Sequence, residues 1–174
     1  MKARMLLVAL FAATLSAQNA PPRTAPLDSL SFLEGSWNAA AVGSTGAQAN
    51  GYYVFRRELG DQVLARHSFT AACKGPADYN CAHADLLFVY SDGAGTPLKA
   101  IYFDSEGHTI HYNVSTPDAN TALFLSDAAL PGPQFRLIYT RKGETLTGKF
   151  QMRMPGHNEW NSYLEWSGDR RREN

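Results

Sequence analysis

The sequence predicts one all-β domain, a single antiparallel up-and-down β-barrel of about ten strands entered through a short helical turn. Three observations carry this. After Gly35 the apolar residues recur with a period of two, as in Phe135-Leu137-Tyr139 against Arg136-Ile138-Thr140, the spacing at which alternate side chains share one sheet face. The breaks between alternating runs are short and made of turn residues, among them Leu59-Gly60-Asp61, Ser91-Asp92-Gly93, Ser105-Glu106-Gly107, Lys142-Gly143 and Pro155-Gly156, so consecutive strands pair antiparallel. No long helical pattern exists to cover an open sheet, and closing the meander removes its two exposed edges.

The elements follow in chain order. Lys2 and Arg4 precede an apolar run from Met5 to Ala13 and a small-residue exit, Thr14-Leu15-Ser16-Ala17, the pattern of a signal peptide cleaved after Ala17. The run is well short of the roughly 20 residues of a spanning helix. The first cysteine is Cys73, so none stands beside the cleavage point to take a lipid. The domain plan is therefore 1–17 signal peptide, 18–26 Pro-rich leader, 27–170 barrel and 171–174 basic tail. It implies an exported protein, periplasmic or secreted, with no membrane insertion once the signal is removed.

Leu27, Leu30 and Leu33 have helical spacing, with Asp28 or Ser29 able to cap one turn. Strands are expected at 37–43, 48–58, 62–71, 83–91, 97–104, 108–115, 120–126, 134–141, 144–154 and 158–167. Cys73 and Cys81 enclose seven turn-rich residues. With no C-x-x-C and no second Cys/His pair, an oxidising compartment favours a structural disulfide between them, stabilising by about 2–3 kcal/mol.

The chain has 16 Lys+Arg, 16 Asp+Glu and a hydrophobic fraction of 44%. That fraction argues against disorder. Neutrality argues against a nucleic-acid partner, which needs a concentrated basic surface. Gly143-Glu144-Thr145-Leu146-Thr147-Gly148-Lys149-Phe150 lacks the Ser/Thr and the following helix of a phosphate-binding loop, and no G-x-S-x-G elbow is present.

The stretch Leu27-Asp28-Ser29-Leu30-Ser31-Phe32-Leu33-Glu34-Gly35-Ser36-Trp37 resembles the opening of lipocalin-like, or calycin, barrels, with Gly35-Ser36-Trp37 as the Gly-x-Trp step. Ile101 to His108 and Ser162 to Trp166 resemble exported bacterial lipocalin-like proteins of unassigned function. The resemblance implies a barrel with one closed and one open, ligand-accepting end. It also implies an Arg after the last strand packed on Trp37, for which Arg170, Arg171 and Arg172 are the candidates. A more distant similarity to nitrobindin-type barrels would make His157 a haem ligand.

Strand parity places the rest. If Trp37 starts the first strand at the bottom, the joints 72–82, 105–107 and 155–157 reach the top, bringing His83, Asp104, Glu106, His108 and His157 to one rim. Arg66, His67, Tyr102, His111, Tyr112 and Arg136 lie within strands with polar tips able to project inward. The ligand-binding candidates are thus His67, His83, Tyr102, Asp104, Glu106, His108, Tyr112, Arg136 and His157; Gly35, Trp37 and Arg170 are structural. His108 and His111 point to opposite faces, and spacing fixes no third ligand for a metal. The expected function is non-covalent binding of a small apolar or amphipathic molecule, without a required cofactor. The alternatives are an envelope interaction module with a filled barrel, an isomerase- or cyclase-like cavity enzyme, and a haem-binding barrel.

Overall fold

The computed structural model describes residues 25–77, 79–93, 95–128 and 131–172. The expected signal peptide and most of the expected leader lie outside these. Helix α1 (Ala25–Asp28) and a 3-10 turn (Ser31–Leu33) lead into ten strands: β1 Gly35–Gly43, β2 Gln48–Glu58, β3 Val63–Lys74, β4 Ala84–Ser91, β5 Leu98–Asp104, β6 Thr109–Asp118, β7 Thr121–Ser126, β8 Gln134–Lys142, β9 Thr145–Arg153 and β10 Asn161–Asp169. Each strand pairs antiparallel with the next, and β1 pairs with β10 to close the barrel. The expected architecture is the observed one.

Boundaries differ where packing extends or shortens the ladder. β3 runs on to Lys74 because β2 matches it, with Ala49 opposite Cys73 and Gln48 opposite Lys74. Cys73 and Cys81 form the disulfide that closes the β3–β4 joint. β10 begins only at Asn161, because Trp160 is held between the guanidinium groups of Arg136 (4.3 Å) and Arg153 (4.9 Å). Ala25 and Pro26, assigned above to the leader, belong to α1. Arg171, assigned to the tail, donates its N–H to Ser36 O at 2.7 Å and lies 4.5 Å over the Tyr52 ring.

The bottom end is solid. Leu27, Leu30 and Leu33 are fully buried, as is Trp37, so the helical spacing of the leucines serves to stopper the barrel. Trp37 donates its indole N–H to Leu33 O at 2.8 Å. Arg170 covers the indole at 4.8 Å and Arg141 approaches it at 5.7 Å. Gly35 sits at φ +115°, and a Cβ there would come within 2.6 Å of the Arg170 guanidinium; the Gly-x-Trp step therefore leaves room for the arginine as well as for the turn. Arg57 ties the stopper to β2 by donating to Glu34 (2.8 Å), Asp28 (3.0 Å) and Leu27 O (3.1 Å).

Inward positions near this end carry Phe55, Leu64, Val89, Phe124 and Leu146, all buried. Further up, the inward residues of β1 and β2 shrink to Ala39, Ala41, Ala49 and Gly51, and all four border open space. That change of size along the strands hollows the upper half.

Candidate functional site

The hollow is a cavity of about 740 Å³ reaching from mid-barrel to the top end, within the range of small-molecule sites. Its wall is mostly apolar, with aromatic rings prominent beside a set of polar and charged side chains. Phe135 stacks on Phe150 at 5.6 Å, Tyr163 meets Phe150 edge-on at 6.1 Å, and Trp166 meets Tyr139 edge-on at 5.6 Å. Trp166 can lie inward only because its cross-strand partner is Gly148, where a Cβ would stand 2.0 Å from the indole ring.

A buried ion pair lies on the cavity wall between β3 and β4. Arg66 on β3 is 4% exposed and bonds Asp85 on β4 through one terminal nitrogen and the Tyr139 hydroxyl through the other. Arg66 stands opposite Leu87 in the ladder, so Asp85 is its diagonal neighbour on the same face. A lone guanidinium at this depth would be prohibitive, and the pair offsets that cost. Burial works against ionisation of Asp85, but the Arg66 charge and bonds from His83 and Arg66 hold its carboxyl below the usual range.

His83 continues the chain toward the rim. Its Nε2 lies 3.5 Å from Asp85 and its Nδ1 3.0 Å from Glu106. The Asp85 hydrogen bond, opposed by burial and aided by Glu106, pushes its pKa up to about 9, so the ring is an imidazolium at neutral pH. Glu106 also accepts from Asn80 at 3.2 Å. Asp104 organises the β5–β6 turn, accepting the N–H groups of Glu106 (3.0 Å) and His108 (2.9 Å) on one oxygen and the His108 ring (2.9 Å) on the other. Burial opposes ionisation of Asp104 too, and those bonds hold its pKa down. Tyr102 donates to Asp104 at 3.3 Å and lies 3.4 Å from His83 Nε2.

Tyr53, Tyr102 and Tyr112 all have raised pKa values, chiefly from burial. Tyr139 is pushed up to about 12 by burial, with Arg66 pulling the other way. The four hydroxyls therefore stay protonated and able to donate.

Six of the nine ligand-binding candidates border the cavity, His83, Tyr102, Asp104, Glu106, His108 and Tyr112, as does Arg66. Three do not. His67 points outward from β3, its Nε2 3.4 Å from Glu58, because the inward phase of that strand runs through Leu64, Arg66 and Ser68. Arg136 lies on the outer face of β8, donating to Gln151 at 2.9 and 2.6 Å, because Phe135, Leu137 and Tyr139 take the inner face. His157 is at the same end of the barrel, in the β9–β10 joint, but is exposed and off the cavity wall, held in a turn by its N–H bond to Met154 O at 3.1 Å. His111 is likewise exposed. Asp85, Tyr53, Tyr139 and Trp166 were not singled out. Asp85 had a readable signal: it interrupts the apolar face that Leu87 and Val89 continue. Among the described residues, no group of three or more His, Cys, Asp or Glu is placed to hold a metal ion.

No family model matches the chain, and no curated protein matches it. Among solved structures, the chain is similar to one described as a redesigned beta barrel, at 12% identity and a TM-score of 0.41, over 83% of this chain and 96% of that one. It is also similar to EF1p2_mFAP2b bound to DFHBI, at 9% identity and a TM-score of 0.39, over 84% of this chain and 100% of that one.

Proposed function

We propose that this protein is an exported lipocalin-like barrel that binds a small, largely apolar molecule non-covalently in its interior. The observation that carries the reading is the cavity: about 740 Å³ bordered by aromatic rings with a few fixed polar groups. Burying about 200 Å² of ligand apolar surface there would contribute roughly 5 kcal/mol, and the polar groups would orient it. Arg66, Asp85, His83 and Glu106 are engaged by opposite charges and Asp104 by hydrogen bonds, which suits holding a ligand more than transferring protons to one. The disulfide supports an oxidising location. The envelope-module alternative required a filled barrel, and the upper half is hollow. Haem is not proposed, since the suggested ligand His157 is exposed and does not border the cavity.

Native mass spectrometry of the protein purified from its own host tests the reading directly. A retained small molecule, released on denaturation and restoring the bound mass when added back, supports it. No retained mass, together with no thermal stabilisation by a panel of small apolar compounds, refutes it.

A further inference from the structure

We propose that the ligand meets the inner end of the cavity with an uncharged hydrogen-bond acceptor, a ketone or aldehyde carbonyl carried on an aromatic or conjugated skeleton. This rests on the ligand-binding reading above and narrows it to a chemical class.

At the inner end the Tyr53 and Tyr139 hydroxyl oxygens already face protein donors, which leaves their protons to be donated. The Tyr53 side chain is buried at 3% exposure; its oxygen faces the Trp166 indole N–H, which lowers its pKa against the larger effect of burial, and its own proton meets no acceptor. The Nε–H of Arg66 is also buried and unpartnered. The Tyr139 hydroxyl already accepts from Arg66, which leaves its own proton to donate. The acceptor oxygens nearby belong to Asp85, and they are taken by Arg66 and His83. Buried donors without partners are costly, and a group that only accepts is their complement. Water can meet them in the empty cavity; a ligand that displaces it must replace its acceptor oxygen.

Charge selects among acceptors. Arg66 is neutralised by Asp85, and His83 is committed between Asp85 and Glu106. A ligand carboxylate would thus arrive beside a buried carboxylate with no uncommitted cation to meet it, and would carry its full desolvation cost. A carbonyl oxygen accepts two hydrogen bonds without that cost. The skeleton behind it would lie against Tyr139, Trp166 and the Phe135–Phe150 stack, where ring edges and faces favour another π-system.

Three naphthalenes that differ only at one substituent test this with the full-length protein at pH 7 by calorimetric titration: 2-acetonaphthone, 2-naphthoate and 2-ethylnaphthalene. The ketone is expected to bind about tenfold tighter than either of the others, as one added neutral hydrogen bond in a buried site allows. Its carbonyl stretching band should move to lower frequency on binding. Tyr53→Phe should remove the tenfold advantage of the ketone over 2-ethylnaphthalene and return the band toward its unbound position. Naphthoate binding as tightly as the ketone, or the ketone binding no better than the hydrocarbon, overturns this inference and leaves the ligand-binding reading standing. Failure of all three to bind removes that reading and this inference with it. The wild-type comparison and the infrared shift decide the matter even if Tyr53→Phe does not fold.

Discussion

Replacing Asp85 by Asn tests whether the ion pair in the cavity wall is a structural unit. The side chains of Arg66 and Asp85 are 5% and 11% exposed, so the amide would leave a guanidinium buried without its counter-charge. Removing one member of such a pair costs about 3–5 kcal/mol. The Asn carbonyl still accepts one bond from Arg66, which places the expectation at the lower end, about 3 kcal/mol. With a urea m-value of about 2 kcal/mol/M for a domain of this size, the midpoint should fall by about 1.5 M. Arg66→Met should cost less, about 2 kcal/mol, because Asp85 keeps its contact with His83. The double variant should be more stable than the sum of the two losses predicts, with a coupling of about 2 kcal/mol, since the amide and thioether leave no buried charge. Urea unfolding of all four proteins at pH 7 without ligand measures this. A loss below about 1 kcal/mol for Asp85→Asn, or strictly additive losses, would refute the pair as described.

His83 should titrate near pH 9 in a proton NMR experiment, and Asp85→Asn should return it toward the ordinary imidazole value. Because its folded pKa lies above the unfolded value, the stability it contributes is complete below about pH 6.5 and is lost as pH rises through about 9; wild-type stability that rises across this window would contradict the assignment. Trp37→Ala should cost about 3–5 kcal/mol, and Arg170→Ala about 0.5–2 kcal/mol, in the same unfolding assay. A Trp37→Ala loss under about 1 kcal/mol would mean that the stopper does not seal the barrel. Gly148→Ala should displace the Trp166 indole, seen as a change in near-ultraviolet circular dichroism and a loss of about 1–3 kcal/mol; an unchanged spectrum would show that the ring does not lie across Gly148.

The barrel was legible because its two determinants are local. Period-two alternation is a property of five or six neighbouring residues, and a two- or three-residue joint admits only an antiparallel partner. Parity then did what no single strand could, bringing His83, Asp104, Glu106, His108 and His157 to one end. The ladder ends were less legible because partners set them: β3 extends to Lys74 only because β2 offers a partner that far. The side of each strand was the hardest part. On β3 the outward series Val63, Ala65, His67 looks as apolar as the inward Leu64, Arg66, Ser68, and Ala65 is itself fully buried. A one-residue choice of phase there exchanges His67 for Arg66. On β8 the alternation of Phe135, Leu137 and Tyr139 was clear, and following it would have placed Arg136 outside instead of among the interior candidates.

Asp85 shows why the pair could not be found from sequence alone. Its partner is 19 residues away, on a strand whose register must be known before the diagonal contact exists, and each residue alone is an unremarkable charge in an alternating run. Yet the pair has a physical logic that an apolar substitute lacks. Two hydrophobic residues of similar volume would fill the same space with equal or greater stability. They would not hold the Tyr139 hydroxyl from its oxygen side, leaving its proton to face a ligand, nor draw His83 into its charged form at the mouth. The small residues Ala39, Ala41, Ala49 and Gly51 make the cavity; Arg66 and Asp85 give its inner end a fixed polarity without a net charge. A barrel solid with leucine below and hollow above, with that pair at the boundary, favours ligands that are apolar in bulk and accept hydrogen bonds at one end.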